Sequence, residues 1–285
     1  MNYAKLSDTW CGNYIENFTT PDDRALTVII TASLVPSHPS IEMIQKVIES
    51  LKLINLPENT EIILAHDADK HDDYEQYLVN LKEFVEKYDN IKIVRRDTRG
   101  YLIGNIDNAL KYVKTKYMLV CQHDLAFKGY FDVTKVLEDM IENPKIKHAL
   151  FNIWDNNPRT YAPGSSFHTN KNGFFTEIEQ TNYRYVKTHS WSDQNHLCLK
   201  SYYTDFVMPE TKKALEEDLK ANGKPSEGCG AMEIFLNKRV ETLDQHDAHG
   251  TYIIGGLGHE PSLQNLFGRG RGEDTVDRSW GWDFD

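Results

Sequence analysis

From Leu26 onward, unbroken apolar runs alternate with segments in which apolar residues recur every three or four positions. Leu26-Thr-Val-Ile-Ile-Thr-Ala32 is β-branched and ends in small residues, which predicts a strand buried on both faces of a parallel sheet. His38-Pro39-Ser40 opens a helix whose stripe is Ile41, Ile44, Val47, Ile48 and Leu51. Glu61-Ile-Ile-Leu-Ala65 predicts a second strand. A helix follows, with Tyr74, Tyr77, Leu78, Leu81, Phe84, Val85 and Tyr88 on one face and Asp72 and Glu75 at capping-box spacing. Ile91-Lys-Ile-Val-Arg95 is a third strand, Asn105 to Val113 a third helix, and Tyr117-Met-Leu-Val-Cys121 a fourth strand. A helix with Val133, Val136, Leu137, Met140 and Ile141 inward leads to a strand over His148 to Ile153.

About 130 residues of this alternation, with connections too long for hairpins, predict an α/β fold with a helix-covered, mainly parallel sheet. Such sheets bind ligands beyond the carboxyl ends of their strands. That rule directs attention to Thr31-Ala-Ser33, His66-Asp-Ala-Asp69, Arg95-Arg96 and Gln122-His-Asp124.

After Ile153 the pattern changes. Asp155 to Asn172 is rich in Asn, Pro, Gly and Ser and predicts a long loop. Residues 173 to 209 are dense in aromatics. Helices are predicted over Glu210 to Ala221 and Gly228 to Val240, and a strand over Thr251 to Ile254. The organisation expected is an irregular leader (1–25), an α/β half (26–155), a second half of the same domain (156–267) and a tail (268–285).

Composition narrows the partners. The 285 residues carry 32 Lys and Arg against 43 Asp and Glu, a net charge of −11. Such a chain has no general attraction for nucleic acid. No apolar run reaches the length of a membrane-spanning helix, and the first residues lack a signal-peptide pattern, so a cytoplasmic location is expected. Cys11, Cys121, Cys198 and Cys229 show no CxxC spacing and read as free thiols.

The chemistry-bearing residues each admit two readings. Asp124, at the exit of an apolar strand, suits a divalent cation that keeps its other positions for phosphate and water, or it caps a turn. Asp67 suits recognition of a base or ribose, whereas Asp69 reads as a solvated loop acid ahead of a helix. Glu233, in Met232-Glu-Ile-Phe-Leu-Asn-Lys-Arg239, is a candidate general base or an ordinary first-turn acid. His259, in Gly255-Gly-Leu-Gly-His-Glu260, suits a loop ligand to a cation or a packing residue. Trp191-Ser-Asp-Gln-Asn-His196 and Tyr202-Tyr203 combine large flat rings with short polar groups, the pairing that holds sugars; core packing is the other reading and explains Tyr202 and Tyr203 at least as well. Arg269 and Arg271, flanked by glycines, suit a diphosphate or a plain tail.

Taken in order, these pieces resemble the GT-A glycosyltransferases of the family 2 type. The resemblance covers residues 26 to 155 and, more loosely, the chain to 260. It implies a metal-dependent, inverting transfer of a hexosyl or pentosyl group from a nucleoside-diphosphate sugar to a glycan or other hydroxyl-bearing acceptor. Thr31, Ser33, Asp67, Arg96, Gln122 and His123 would then contact the nucleotide. Gln122-His-Asp124 stands where the family has DxD and matches its last acid, so Asp124 would hold Mn²⁺ or Mg²⁺, with His259 or His246 completing the shell. Glu233, in an ExxLxxR pattern with Leu236 and Arg239, would be the base, and Trp191, Asp193 and His196 would frame a sugar. A nucleotidyltransferase fails because no glycine lies in Thr31 to Pro36, and a dinucleotide-dependent dehydrogenase because no GxGxxG follows the first strand. A catalytically silent glycan- or nucleotide-binding protein is the alternative, favoured by Gln122 and His66 where acids are usual.

Overall fold

In the computed structural model the described residues are 25–36, 39–153, 156, 177–178, 181–188, 191–222 and 249–266. Strands β1 (Leu26–Ala32), β2 (Glu61–His66), β3 (Ile91–Arg95) and β4 (Tyr117–Gln122) alternate with helices α1 (Glu42–Ser50), α2 (Tyr74–Val85) and α3 (Tyr101–Leu110). Then come β5 (Leu125–Phe127), α4 (Val133–Glu142), β6 (His148–Leu150), β7 (Glu177–Ile178), β8 (Tyr185–Lys187) and β9 (His196–Leu199). A short α5 (Lys200–Tyr202) runs through the π-turn Tyr203–Val207 into α6 (Met208–Asn222), and β10 (Thr251–Ile254) and β11 (Leu263–Asn265) follow.

Among the described residues the main sheet has nine strands, in the order β3-β2-β1-β4-β9-β6-β10-β8-β7. The parallel pairs are β1–β2, β2–β3, β1–β4 and β6–β10. Only β8 and β9 run against the rest, so the sheet is mixed but mainly parallel. Strands β5 and β11 form a separate antiparallel ribbon.

Side chains alternate across this sheet as a two-faced strand requires. Val28, Ile30, Ile62 and Leu64 pack on one face with the apolar stripes of α1, α2 and α4. Ile29, Ile63, Met118 and Val120 pack on the other with Leu102 and Ile106 of α3 and with Tyr202, Tyr203 and Val207. Cys121 and Cys198 are buried free thiols, and burial raises the pKa of both. Among the described residues no helix is long and apolar enough to cross a membrane.

The structure corrects several expected boundaries. Helix α3 begins at Tyr101 and ends at Leu110, rather than running from Asn105 to Val113. Its first turn is fixed by a distant carboxylate, which local periodicity does not register. The last strand of the alternating stretch stops at Leu150, not Ile153. Asp72 makes no capping box; Asp73 is the N-cap of α2 and gives no side-chain cap. Ile141 is exposed, because α4 turns Asp139 inward instead. The Asp139 carboxylate accepts from the main chain of Asn182 and Tyr183 (2.7 and 3.0 Å) and from the Tyr185 hydroxyl (2.8 Å). Five short strands, β5, β7, β8, β9 and β11, have no counterpart in the sequence pattern. The expected leader, tail and helix 228–240 lie outside the described residues.

Candidate functional site

Register alone assembles the carboxyl edge of the sheet. His66 lies beside Ala32 and Arg95, and Thr31 beside Gln122, so the strand-exit residues singled out above form one row across β3, β2, β1 and β4. The crevice of such a sheet lies where chain direction through the sheet reverses, here between β1 and β4.

At the β2 end the row is structural. Asp67 is 3% exposed. Its Oδ1 accepts from the N–H of Ala68 (3.0 Å) and Gly100 (2.8 Å), and its Oδ2 from the N–H of Tyr101 (2.8 Å). This carboxylate is therefore committed to the N-terminus of α3, where negative charge is favoured, rather than presented to a base or ribose. His66 is fully buried beside Tyr74 and Tyr77. Its Nδ1–H donates to the Asp67 carbonyl (2.7 Å), and desolvation lowers its pKa to about 4, so it is neutral. Asp69 accepts from the N–H of Lys70 and His71, a local turn rather than a ligand site.

Arg96 is likewise turned inward. Its Nε donates to the Thr98 carbonyl (3.2 Å) and its Nη1 to the Gly104 carbonyl (2.8 Å). The guanidinium lies so close over Gly100 that a Cβ there would come within 2.3 Å of Nε. Both glycines of the β3–α3 region thus make room for Arg96, which holds the loop and does not reach toward a pyrophosphate.

The β4 exit differs. The Thr31 hydroxyl donates to the Cys121 carbonyl (3.2 Å), and the Thr31 carbonyl accepts from both the N–H and the Nδ1–H of His123, each at 3.1 Å. That leaves His123 Nε2 as the ring's acceptor face. Ser33 is half-buried beside this edge. Gln122 donates its Nε2–H to the Asp193 carbonyl (3.0 Å). Asp124 has its main-chain carbonyl tied to the N–H of Leu266 (2.7 Å), while its carboxylate Oδ1 is buried and has no hydrogen-bond partner among the described residues. A buried carboxylate oxygen without a donor is costly unless a cation or proton supplies the missing interaction. The Asp124 carboxylate therefore fits a divalent cation.

His259 sits on the β10–β11 connection, against the ring of Phe131, with its Nδ1–H donating to the Glu260 carbonyl (2.7 Å). Gly255, at φ +92°, is required beneath it, because a Cβ there would lie 2.4 Å from the His259 ring. Among the described residues no three His, Cys, Asp or Glu side chains converge on one point.

The expected sugar-framing set separates. Trp191 is 0% exposed and stacks near His148 in the core, so it offers no ring face to a ligand. His196 is also fully buried, its Nδ1–H donating to the Gln194 carbonyl (2.6 Å) and its Nε2 accepting from the Tyr203 hydroxyl (2.9 Å). Desolvation lowers its pKa to about 4, and lowers that of neighbouring His148 well below the ordinary histidine value. Core packing, the second reading given for these aromatics, is what the structure displays. Asp193 alone is partly exposed. Glu233, His246, Arg269 and Arg271 lie outside the described residues. Asn195 was not singled out in the sequence; it sits between Asp193 and His196 and bonds across to the Gln122–Leu125 turn.

The mixed, mainly parallel sheet flanked by helices is the architecture of the GT-A class. Residues 33–204, more than half of the chain, match the profile of Glycosyl transferase family 2. The chain belongs to that family. Among the solved structures that resemble it, two illustrate the likeness. One is S. aureus TarS residues 1–349, with 15% identity, a TM-score of 0.48, and 84% of this chain and 59% of that one covered. The other is GalNAc-T7 with UDP, GalNAc and Mn²⁺, with 9% identity, a TM-score of 0.51, and 81% and 41% covered. The GalNAc-T7 likeness shows the shared fold. This chain spans less than two thirds of the length of either. The chain has no sequence match among the curated proteins.

Proposed function

We propose that this chain transfers a hexosyl or pentosyl group from a nucleoside-diphosphate sugar to an acceptor hydroxyl, with inversion, using Mn²⁺ or Mg²⁺ held at Asp124. The observation that carries the reading is the buried, partnerless Oδ1 of Asp124 at the β4 exit of a family 2 domain. A bound divalent cation would neutralise charge on the departing diphosphate. With one carboxylate from the described protein, the rest of its coordination would come from phosphate oxygens and water, with His259 the further ligand that the family resemblance implies.

The protein's own part is positional. Gln122 and His123 immediately precede Asp124 and are fixed by Asp193 and Thr31, which holds the start of the turn that carries the carboxylate. In the displacement, the acceptor oxygen bonds to the anomeric carbon as the bond from that carbon to the diphosphate oxygen breaks. The acceptor proton passes to the Glu233 carboxylate, the base that the family resemblance implies. The acceptor is a glycan or another hydroxyl-bearing molecule, and the cytoplasm is the proposed location.

The test is donor hydrolysis across a panel of nucleotide sugars, with and without Mn²⁺. A transferase releases nucleoside diphosphate slowly from its own donor when metal is present. Gln122 and His66 favour a silent binding protein instead, which would be stabilised thermally by the nucleotide yet release none.

A further inference from the structure

The antiparallel ladder between β4 and β9 ends at Val120 opposite His196. Two residues further on, where β4 enters the turn that carries Asp124, a side chain replaces the missing backbone partner. Asn195 is 0% exposed. Its Oδ1 accepts from the N–H of Gln122 (3.0 Å), and its Nδ2–H donates to the carbonyl of Leu125 (3.0 Å). One amide group therefore bridges both ends of the Gln122–Leu125 turn, imitating a peptide unit by donating and accepting at once. Asn195 is itself held, since its own carbonyl accepts from the N–H of Phe151 (2.8 Å) on the chain leaving β6.

We infer that Asn195 is a positioning residue for Asp124. The inference rests on the proposed use of Asp124 as the cation ligand. His123 between the clamp points is fixed to Thr31, and the Asp124 carbonyl to Leu266. With both ends of the turn closed by one buried amide, the Asp124 carboxylate is the group left to face a ligand. No smaller side chain spans the two sites, and a carboxylate spans them only by setting its charge against the Leu125 carbonyl.

The test uses the full chain and two variants. Asn195→Ala removes both bonds; Asn195→Asp keeps the acceptor toward Gln122 and loses the donor toward Leu125. Two quantities are read: Mn²⁺ affinity in the presence of UDP, by the spin-resonance signal of free Mn²⁺, and hydrogen exchange at the Gln122 amide without metal or nucleotide. Both variants are expected to bind Mn²⁺ 10- to 100-fold more weakly, the scale set by losing a group that orients a metal ligand. Gln122 exchange should rise at least tenfold in Asn195→Ala and stay near wild type in Asn195→Asp. Unchanged exchange in Asn195→Ala, or Mn²⁺ affinity within twofold of wild type in a folded variant, overturns the inference. Should Asn195→Ala fail to fold, Asn195→Asp decides through its Mn²⁺ affinity. Wild-type protein that binds no Mn²⁺ overturns the proposed function instead, and Gln122 exchange then decides the clamp by itself.

Discussion

Asp67 Oδ2 lies 2.8 Å from the main-chain N–H of Tyr101, which ties the exit of β2 to the first residue of α3. Tyr101 has a φ of +53°, a left-handed conformation that a bulky residue adopts only where its surroundings over-determine it. Gly100, donating to the other oxygen of the same carboxylate, completes the grip.

Replacing Asp67 with Asn should therefore act on stability. The amide oxygen can keep the N–H groups of Ala68 and Gly100, but the N–H₂ in place of Oδ2 then faces the N–H of Tyr101 and leaves that buried donor unmet. The expected loss is about 1–3 kcal/mol, read as a lower urea midpoint at unchanged slope. A midpoint equal to wild type would mean that the carboxylate does not hold α3.

Acid should unfold this protein cooperatively. His66 and His196 have folded pKa values lowered by burial to about 4, and burial also lowers that of His148 well below the 6.5 of an ordinary histidine. Between pH 6.5 and 4 the unfolded chain binds protons that the folded chain refuses, so stability falls as pH falls. The slope is about 1.4 kcal/mol per pH unit for each histidine fully engaged. Proton uptake on unfolding at pH 5.5, measured by calorimetry in buffers of different ionisation heat, should approach one per histidine of this trio. Uptake near zero would contradict the neutral buried rings.

Asp124→Asn should abolish Mn²⁺-dependent nucleotide binding and lower turnover by at least a hundredfold, with little change in thermal midpoint. The neutral amide keeps the shape and removes the charge that a hard cation requires. Retained activity in this variant would remove the cation from the reading.

Glu233→Gln should bind nucleotide as tightly as wild type and turn over 10²- to 10⁴-fold more slowly, because only the proton-accepting step is lost. Donor titration by thermal shift, paired with product release, separates the two effects. Unchanged turnover would disqualify Glu233 as the base.

The first half of the fold was legible because its signals are local. The run Leu26 to Ala32 is β1 to the residue, and Thr251 to Ile254 is β10. Row and register then followed from parallel pairing, which brought Thr31, His66, Arg95 and Gln122 to one edge. What the sequence could not display were partners far apart along it. The bond between Gln122 and Asn195 joins residues 73 apart, and that between Asp67 and Tyr101 joins residues 34 apart. Burial of Trp191 had the same cause. Its neighbours His148, His196 and Tyr202 come from separate elements, so a ring that reads as a sugar platform is enclosed once they meet.

Strand β9 has a kinetic consequence. It is wedged between β4 and β6, pairing with both. Until residues 196–199 have left the ribosome, the four strands β1 to β4 end in an unpaired edge that is ready to bond with another chain. Closing that edge means bringing together segments about 80 positions apart, a slow, non-local event. The nascent protein thus passes through a window in which the open edge of β4 is exposed to pairing with another chain, a route to aggregation that the finished sheet closes.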